Sequence, residues 1–429
     1  MAGPEKIRTV ITGVGVVSPV GIGVDRFWSS LIEGRTGIGY LTAFSADELP
    51  SRLAAEVTDF EPTNYLRDRK FLKVMSREVQ LGVSSASLAM QDSVLSPGLI
   101  DPTRLGVVYG AGRMSTSPQE IVDAVSGLDV LDDDEYYTRW GEDSVGKITP
   151  LWLLRQLPNM PACHISIDHD ARGPNNTITS RDSSALLALA EAVRVIERNA
   201  ADAMIVGACG SNISAVDIAK LSLYENLSRR KEHPELACRP FDLDRDGTVV
   251  GEGAASFVVE RYEHAIARGA EIYAEVVGFG SGSDGKGYNN GSGGRGIVHS
   301  IRAALRRAEI QPTDIGHINA HGKSTQRDDL VEARAYHAVF GSYAKTIPVV
   351  ALKSFFGNFD AGSGAVELAG TLLSLKHGVI PPTLNYEYPD PRCQLNVTYG
   401  TASGLSGLTA LSVNRTNVGQ SAAAILRAL

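Results

Sequence analysis

Residues 183–199 constrain the fold more than any other segment. They read as a helix whose first half, Ser184-Ala-Leu-Leu-Ala-Leu-Ala190, is apolar on nearly every face. A helix with no polar face must be buried on all sides. A second such helix is expected over 363–377. Each is introduced by a short polar or glycine-rich stretch, Thr179-Ser-Arg-Asp-Ser-Ser184 in one case and Gly357-Asn-Phe-Asp-Ala-Gly-Ser363 in the other. Each is followed by a strand, at 201–210 and at 409–414. The pattern is a weak internal duplication: two βαβαβ-type halves stacked back to back, each burying one helix in the centre. No low-complexity linker divides them, so one compact unit is expected, with halves at 1–260 and 261–429.

Further apolar, β-branched runs read as strands at 8–17, 105–112, 253–259, 272–280, 317–321 and 348–352. Helical spacing appears at 25–33, 73–92, 298–308 and 330–340. Alternating strands and helices imply a parallel sheet with helices on its faces. The acidic run Asp132-Asp-Asp-Glu135 reads as a solvated loop. A net charge of -8 argues against nucleic-acid binding, which needs cations to displace counterions, and against a polybasic membrane surface. Four cysteines at no metal-like spacing fit a reducing compartment. No apolar run approaches the roughly 18–20 residues of a membrane span, and Met1–Arg8 lacks the apolar core of a signal peptide. A soluble, cytoplasmic protein is expected.

Three places could carry chemistry. The turn before the first buried helix offers free N–H groups and positive potential; Asp182 there is either an N-cap or a functional carboxylate. Asn319-Ala-His321-Gly322 ends a strand, where His321 is either an acid/base group or a satisfied buried histidine. Lys353 ends another apolar strand, and a buried lysine needs a carboxylate such as Asp329 or Glu332. Other patterns fail on geometry. On a strand, His317 and His321 lie roughly 13 Å apart, too far for one ion. Asp242-Leu-Asp-Arg-Asp-Gly247 imitates a calcium loop, but Gly253 stands where the bidentate glutamate belongs. Gly291-Ser-Gly-Gly-Arg-Gly296 does not follow a strand, which weakens a dinucleotide reading. Cys163 and His164, as strand neighbours, would point to opposite faces. All four cysteines read as structural, and neither a metal nor a cofactor is expected.

Taken in order, Val10-Ile-Thr-Gly-Val-Gly-Val-Val-Ser-Pro19, Leu157-Pro-Asn-Met160, Arg172-Gly-Pro174, Arg239-Pro-Phe-Asp242, Arg245-Asp-Gly247, Gly251-Glu-Gly253, Asn319-Ala-His-Gly322, Ser324-Thr325, Lys353-Ser354 and Gly364-Ala-Val-Glu367 resemble the β-ketoacyl-acyl-carrier-protein synthases. The resemblance runs nearly end to end. It implies an α/β thiolase-like fold of two duplicated βαβαβ halves in five layers (α-β-α-β-α). Family members carry the acyl chain on a cysteine at the N-terminus of the central helix; counted from Gly173-Pro174, that position is Asp182. The family's first histidine matches His321, and its second falls on Asn358. The C-terminal glycine-rich loop reads Asn414-Arg-Thr-Asn-Val-Gly-Gln-Ser421. By resemblance, Ser324, Thr325, Asn417 and Gln420 border an acyl or pantetheine pocket, and Asp329 and Glu332 are structural partners. Arg67, Arg69, Lys70 and Lys73 are expected to dock an acidic acyl carrier protein. Dimer pairing is expected through an edge strand at 201–210 and the segment 150–162.

The pattern looks closest to chain-length factors, the inactive partners of aromatic polyketide ketosynthases, which usually carry Gln at the cysteine position. The expected function is a non-condensing, chain-length-factor-like subunit of fatty-acid or polyketide biosynthesis. It would bind acyl chains or acyl carrier protein, as a homodimer or paired with an active ketosynthase. Two alternatives stand beside it: altered chemistry on acyl-carrier thioesters through Asp182, His321, Lys353 and Asn358, or a standard 3-oxoacyl-[acyl-carrier-protein] synthase. The last is disfavoured chemically, because an acylated aspartate is a reactive anhydride. Asp182 itself is expected to be ionised and satisfied by backbone N–H groups and polar neighbours, with Asn358 at the far side of the pocket.

Overall fold

Five strands from each half carry the architecture. The first half gives β1 (Thr9–Ser18), β2 (Leu105–Ala111), β3 (Asn175–Ile178), β4 (Ala203–Ser211) and β5 (Val250–Arg261). The second gives β6 (Ala274–Ser283), β7 (His317–Asn319), β8 (Pro348–Val350), β9 (Thr409–Arg415) and β10 (Gln420–Arg427). Their spatial orders are β1-β5-β4-β2-β3 and β6-β10-β9-β7-β8, so each strand has a counterpart in the other half. The halves join where β1 meets β6 at Val10–Glu275 and Ile11–Ala274. This computed structural model describes residues 7–96, 98–114, 119–126, 128, 132–148, 150–285 and 293–429. The first six residues of the chain, and Gly291 and Ser292 of the glycine-rich stretch, lie outside the described residues.

The expectation of a parallel sheet is corrected to a mixed one. β2 runs parallel to β3 and β4, but β5 is antiparallel to β4 and β1. The second half repeats this, with β10 antiparallel to β9 and β6. The chain returns from β9 to β10 through a tight turn, with no helix to carry it across the sheet. β10 is absent from the sequence reading because its Ser-Ala-Ala-Ala run has low strand propensity. Its burial between β9 and β6 decides its conformation.

Six helices complete the layers: α1 (Arg77–Asp92), α2 (Met160–Asp168), α3 (Ser184–Glu197), α4 (Arg295–Ala308), α5 (Gln326–Phe340) and α6 (Ala361–His377). α3 and α6 fill the centre. Leu186, Leu189 and Val193 of α3 share one core with Leu368 and Leu372 of α6 and with Val16, Val206, Phe257 and Ala424 from both sheets. Every residue of α6 from Ala361 to Leu375 is buried, as its unbroken apolar face requires. α1 and α2 pack outside the first sheet, α4 and α5 outside the second. The Gly-Val-Gly of β1 makes the outer contact possible: a Cβ on Gly15 would sit 2.1 Å from the Ser85 carbonyl of α1.

Several local expectations are corrected. Cys163 and His164 lie in helix α2, not on a strand. The acidic run is not a loop: the Asp132 carboxylate accepts from Glu135 N (2.9 Å) and caps a helix over Asp133–Arg139, as acidic groups favour at an N-terminus. The helix over Val24–Ile32 is preceded by Gly23 rather than capped by Asp25. The basic segment before α1 is a separate 3₁₀ helix, Arg69–Val74. The strand at 201–210 is not an edge: β4 lies between β2 and β5, and the edge on that side is β3.

Candidate active site

α3 and α6 meet at their N-terminal ends. Asp182 lies in the 3₁₀ turn Arg181–Ser183 that feeds α3, and Asp360 precedes α6. Arg181 joins them, its Nε donating to Asp360 Oδ1 at 3.1 Å. Its Nη1 donates to Asn417 Oδ1 (2.8 Å), and Nη2 lies 3.6 Å from Glu225 Oε1. Arg181 and Asp360 hold φ of 47° and 59°. Left-handed backbone at a non-glycine residue costs about 1–3 kcal/mol, so the surrounding contacts must hold both in place.

Asp182 is fully buried, and neither carboxylate oxygen has a hydrogen-bond partner. The expected backbone N–H satisfaction is therefore corrected: Asp182 is balanced by charge, not by capping, because the N-cap position belongs to Ser183. Burial alone would raise its pKa, but Lys323, with Arg181 and Lys353, outweighs that and holds the carboxyl well below the usual range. Lys323 is itself buried and donates to Glu225 Oε2 at 2.9 Å. Asp360 moves the other way, pushed up to about 6 by burial and by the Asp182 charge.

Lys353 lies at the start of a short helix after β8 and anchors the second cluster. Its Nζ donates to Glu367 Oε1 (2.5 Å) and to the His321 carbonyl (2.9 Å), and lies 3.2 Å from His321 Nδ1. Glu367 is thus the carboxylate partner of Lys353, in place of the expected Asp329 or Glu332. Asp329 accepts from Phe241 N (2.8 Å) and pairs with Arg245. Glu332 accepts from His321 N (2.7 Å), Gly322 N (2.9 Å) and the Tyr336 hydroxyl (2.5 Å), and so fixes the His321 loop. Burial and Lys353 push the His321 pKa well below its ordinary value, leaving the ring neutral. The ammonium donating to Nδ1 assigns the ring proton to Nε2, so His321 presents a donor rather than a base.

The structure brings Asp182, His321 and Lys353 into one electrostatic cluster. Asn358 is committed elsewhere: its Oδ1 accepts from Ser363 Oγ at 3.0 Å. Ser324 and Thr325, expected at an acyl or pantetheine pocket, have structural contacts. Both are buried; Ser324 accepts from Arg239 N (2.9 Å), and Thr325 caps α5 by accepting from Asp328 N (3.0 Å). Asn417 receives Arg181, and Gln420 accepts from Ser180 Oγ (2.8 Å), so these two tie the β9–β10 turn to the turn before α3. Arg67, Arg69, Lys70 and Lys73 are all exposed. The sequence reading missed Arg181, Glu225, Lys323, Asp360 and Glu367. Arg181, Asp360 and Glu367 carried a signal, since each is a charge inside a stretch already singled out, and Lys323 lies between two such motifs.

No cysteine stands at position 182, where the resemblance places one. Burial raises the Cys209 and Cys238 thiols and pushes Cys393 up to about 12, and Cys163 lies in α2. Among the described residues, no group of His, Cys, Asp and Glu could hold a metal ion, and no helix is long and apolar enough to cross a membrane. The arrangement stores an anion among fixed cations.

The raised pKa of Asp360 gives a testable sign. A carboxyl whose folded pKa exceeds its unfolded value loses stability as pH rises between the two, here from about 4 to about 6. Asn cannot ionise and tolerates positive φ. Asp360→Asn should therefore gain stability relative to the parent across that window, by on the order of 1–3 kcal/mol. Urea unfolding at pH 4 and pH 7.5 reads the difference; parallel pH profiles would count against it.

Residues 7–265 match the family described as "Beta-ketoacyl synthase, N-terminal domain", and residues 273–387 match "Beta-ketoacyl synthase, C-terminal domain". A 3-oxoacyl-[acyl-carrier-protein] synthase 2 of Synechocystis sp. is 35% identical over 415 residues, 96% of this chain and 96% of that protein. The ishigamide ketosynthase/chain length factor has a TM-score of 0.85 at 26% identity, covering 99% of this chain and 100% of that one. A type II polyketide ketosynthase, bound to a hexaketide in complex with its acyl-carrier protein, has a TM-score of 0.83 at 28% identity over 99% of this chain and 100% of that chain.

Proposed function

The chain belongs to the β-ketoacyl synthase family, and on that premise we propose that it is a non-condensing, chain-length-factor-like subunit of fatty-acid or polyketide assembly. It pairs with a ketosynthase subunit and receives acyl chains or acyl carrier protein. The observation that carries this reading is the state of position 182. Where relatives by resemblance place a thiol, this chain buries an ionised carboxylate among Lys323, Arg181 and Lys353. Attack by that carboxylate on a thioester would abandon its ion pairing for an anhydride that water destroys. Its charge would also repel an enolate formed beside it. Intact-mass analysis after incubation with acyl- and malonyl-carrier protein should show no added mass; an acyl group on residue 182 would overturn the reading.

Two surfaces support a partner role. β3 ends its sheet with one side unpaired, and Leu151, Leu153 and Ile167 are 64%, 57% and 59% exposed. An open strand edge and exposed apolar side chains each invite pairing. β3, rather than 201–210, is the strand expected to extend across a twofold axis. Sedimentation at micromolar concentration should give a dimer, alone or with a ketosynthase, and a monomer in both cases would count against it.

The exposed Arg69 and Lys70 supply a positive surface in a chain of net charge -8. Reversing both charges is expected to weaken carrier binding, by more at 50 mM than at 300 mM salt, as electrostatic steering demands. Binding unchanged at low salt would remove the docking role.

A second reading, altered chemistry on acyl-carrier thioesters, is favoured by the retained His321–Lys353–Glu367 contacts. Release of carbon dioxide from malonyl-carrier protein above background would select it.

A further inference from the structure

A cleft of about 750 Å³ lies between the loop that follows Ile38–Tyr40 and the loop carrying Arg229, Arg230 and Lys231. Its volume is in the range of small-molecule sites, about 300–1,000 Å³. Its two walls differ in chemistry. One is apolar, from Tyr40, Leu41, Phe44 and Leu49. The other carries three consecutive cations, none with an ion-pair partner among the described residues. Arg52, the other cation of the cleft, is already paired with Asp47 at 3.3 Å. The cleft thus bears a local charge of +3 in a chain whose net charge is -8, a concentration that turns and solubility do not require. The walls are held in register: the Tyr40 hydroxyl donates to the Lys231 carbonyl at 2.8 Å, and Ser51 Oγ donates to the Ser228 carbonyl at 2.8 Å. Arg229 N donates to Asp246 Oδ2 at 3.2 Å, which leaves its guanidinium free of that fixation.

We propose that this cleft binds a nucleoside diphosphate, or a larger ligand carrying one, with the base against Tyr40 and Phe44 and the phosphates on Arg229, Arg230 and Lys231. Guanidinium groups bind phosphate oxygens in a planar, bidentate geometry. An aromatic wall stacks a base whatever its identity. A concave site of this volume with an apolar wall suits a small ligand. The proposal is independent of the function proposed above, since none of the cleft residues belongs to the Asp182 cluster.

Isothermal titration of the full chain with ADP and with coenzyme A, at 50 mM salt, tests it. Saturable binding of both is expected. Arg229→Glu with Lys231→Glu should weaken each at least tenfold, whereas Lys220→Glu, an exposed cation outside the cleft, should leave both within twofold. Tyr40→Ala should weaken ADP at least fivefold and inorganic pyrophosphate by less than twofold. Circular dichroism confirms folding of each variant. Pyrophosphate binding as tightly as ADP would reduce the site to a simple anion site and overturn the nucleoside assignment. Absence of saturable ADP binding to one millimolar, or equal affinity in the doubly reversed variant, would overturn the proposal. So would charge reversal that weakens acyl carrier protein while ADP does not bind, because the face would then be a protein dock.

Discussion

Lys353→Met is expected to cost about 3–5 kcal/mol of stability at pH 8, the range for removing one partner of a buried ion pair. Lys353 is fully buried, and its Nζ holds three groups: the Glu367 carboxylate, the His321 carbonyl and His321 Nδ1. A methionine fills most of the volume and none of the charge. Glu367 would then lie deep between the sheets with only the Asn414 side-chain amide, at 2.7 Å, to stabilise it. Burial already pushes the Glu367 pKa to about 7 against the pull of Lys353. Without the lysine it rises further above 7, so the deficit should shrink as pH falls from 8 towards 7, where the variant's glutamate is protonated and the parent's is not, and stay level below that. Adding Glu367→Gln to Lys353→Met should recover most of the loss, because no charge is then stranded. Urea unfolding of the two variants at pH 8 and pH 5.5 measures all three statements. A single-variant loss below about 1 kcal/mol at pH 8 would mean the pair is far better solvated than its burial indicates.

Asp182→Cys should create a thiolate and still fail to condense. The field that keeps Asp182 ionised acts on any acid at that position, and the N-terminus of α3 adds to it. The new thiol should therefore titrate below the ordinary cysteine value of about 8.5, read as thiolate absorbance at 240 nm. Condensation needs more than an anion. Asn358 stands where the resemblance places a second histidine, and its side chain is bonded to Ser363. His321 is a fixed donor, and the Arg181 guanidinium closes the turn against Asp360 and Asn417. Product formation from acyl- and malonyl-carrier protein should stay at the level of the parent chain. Turnover at even a hundredth of a ketosynthase rate would show the remaining groups to be competent, and the non-condensing reading would fall.

The features legible in the sequence were those written in side-chain chemistry along one element. The all-apolar α3 and α6 announced a double-layered core, and the matching turns before them announced the duplication. The strand order then followed the same logic in both halves. What escaped depended on tertiary position. β10 is a strand because two neighbours cover it, not because its alanines prefer extension. α2 hid behind Met160-Pro161, where proline at the start of a helix is easily read as a break. The partner of Lys353 was sought on α5 and found on α6, because both helices bring carboxylates to the same strand ends and only packing chooses between them. Asp182 lies at a helix start as expected, but two of its neutralising cations, Lys323 and Lys353, come from segments more than a hundred residues away.

The ion pairs between the central helices also determine which pieces of this chain recognise each other. Arg181, Asp182 and Glu225 come from the first half; Lys323, Lys353, Asp360 and Glu367 come from the second. Arg181–Asp360 and Lys323–Glu225 cross from one half to the other. Two copies of the first half brought together in the same way would leave Glu225 without Lys323, and two copies of the second would leave Lys323 without Glu225. Although the halves share a strand order, their buried charges match only in the mixed pairing. The buried charges therefore favour contact between unlike halves over contact between like ones.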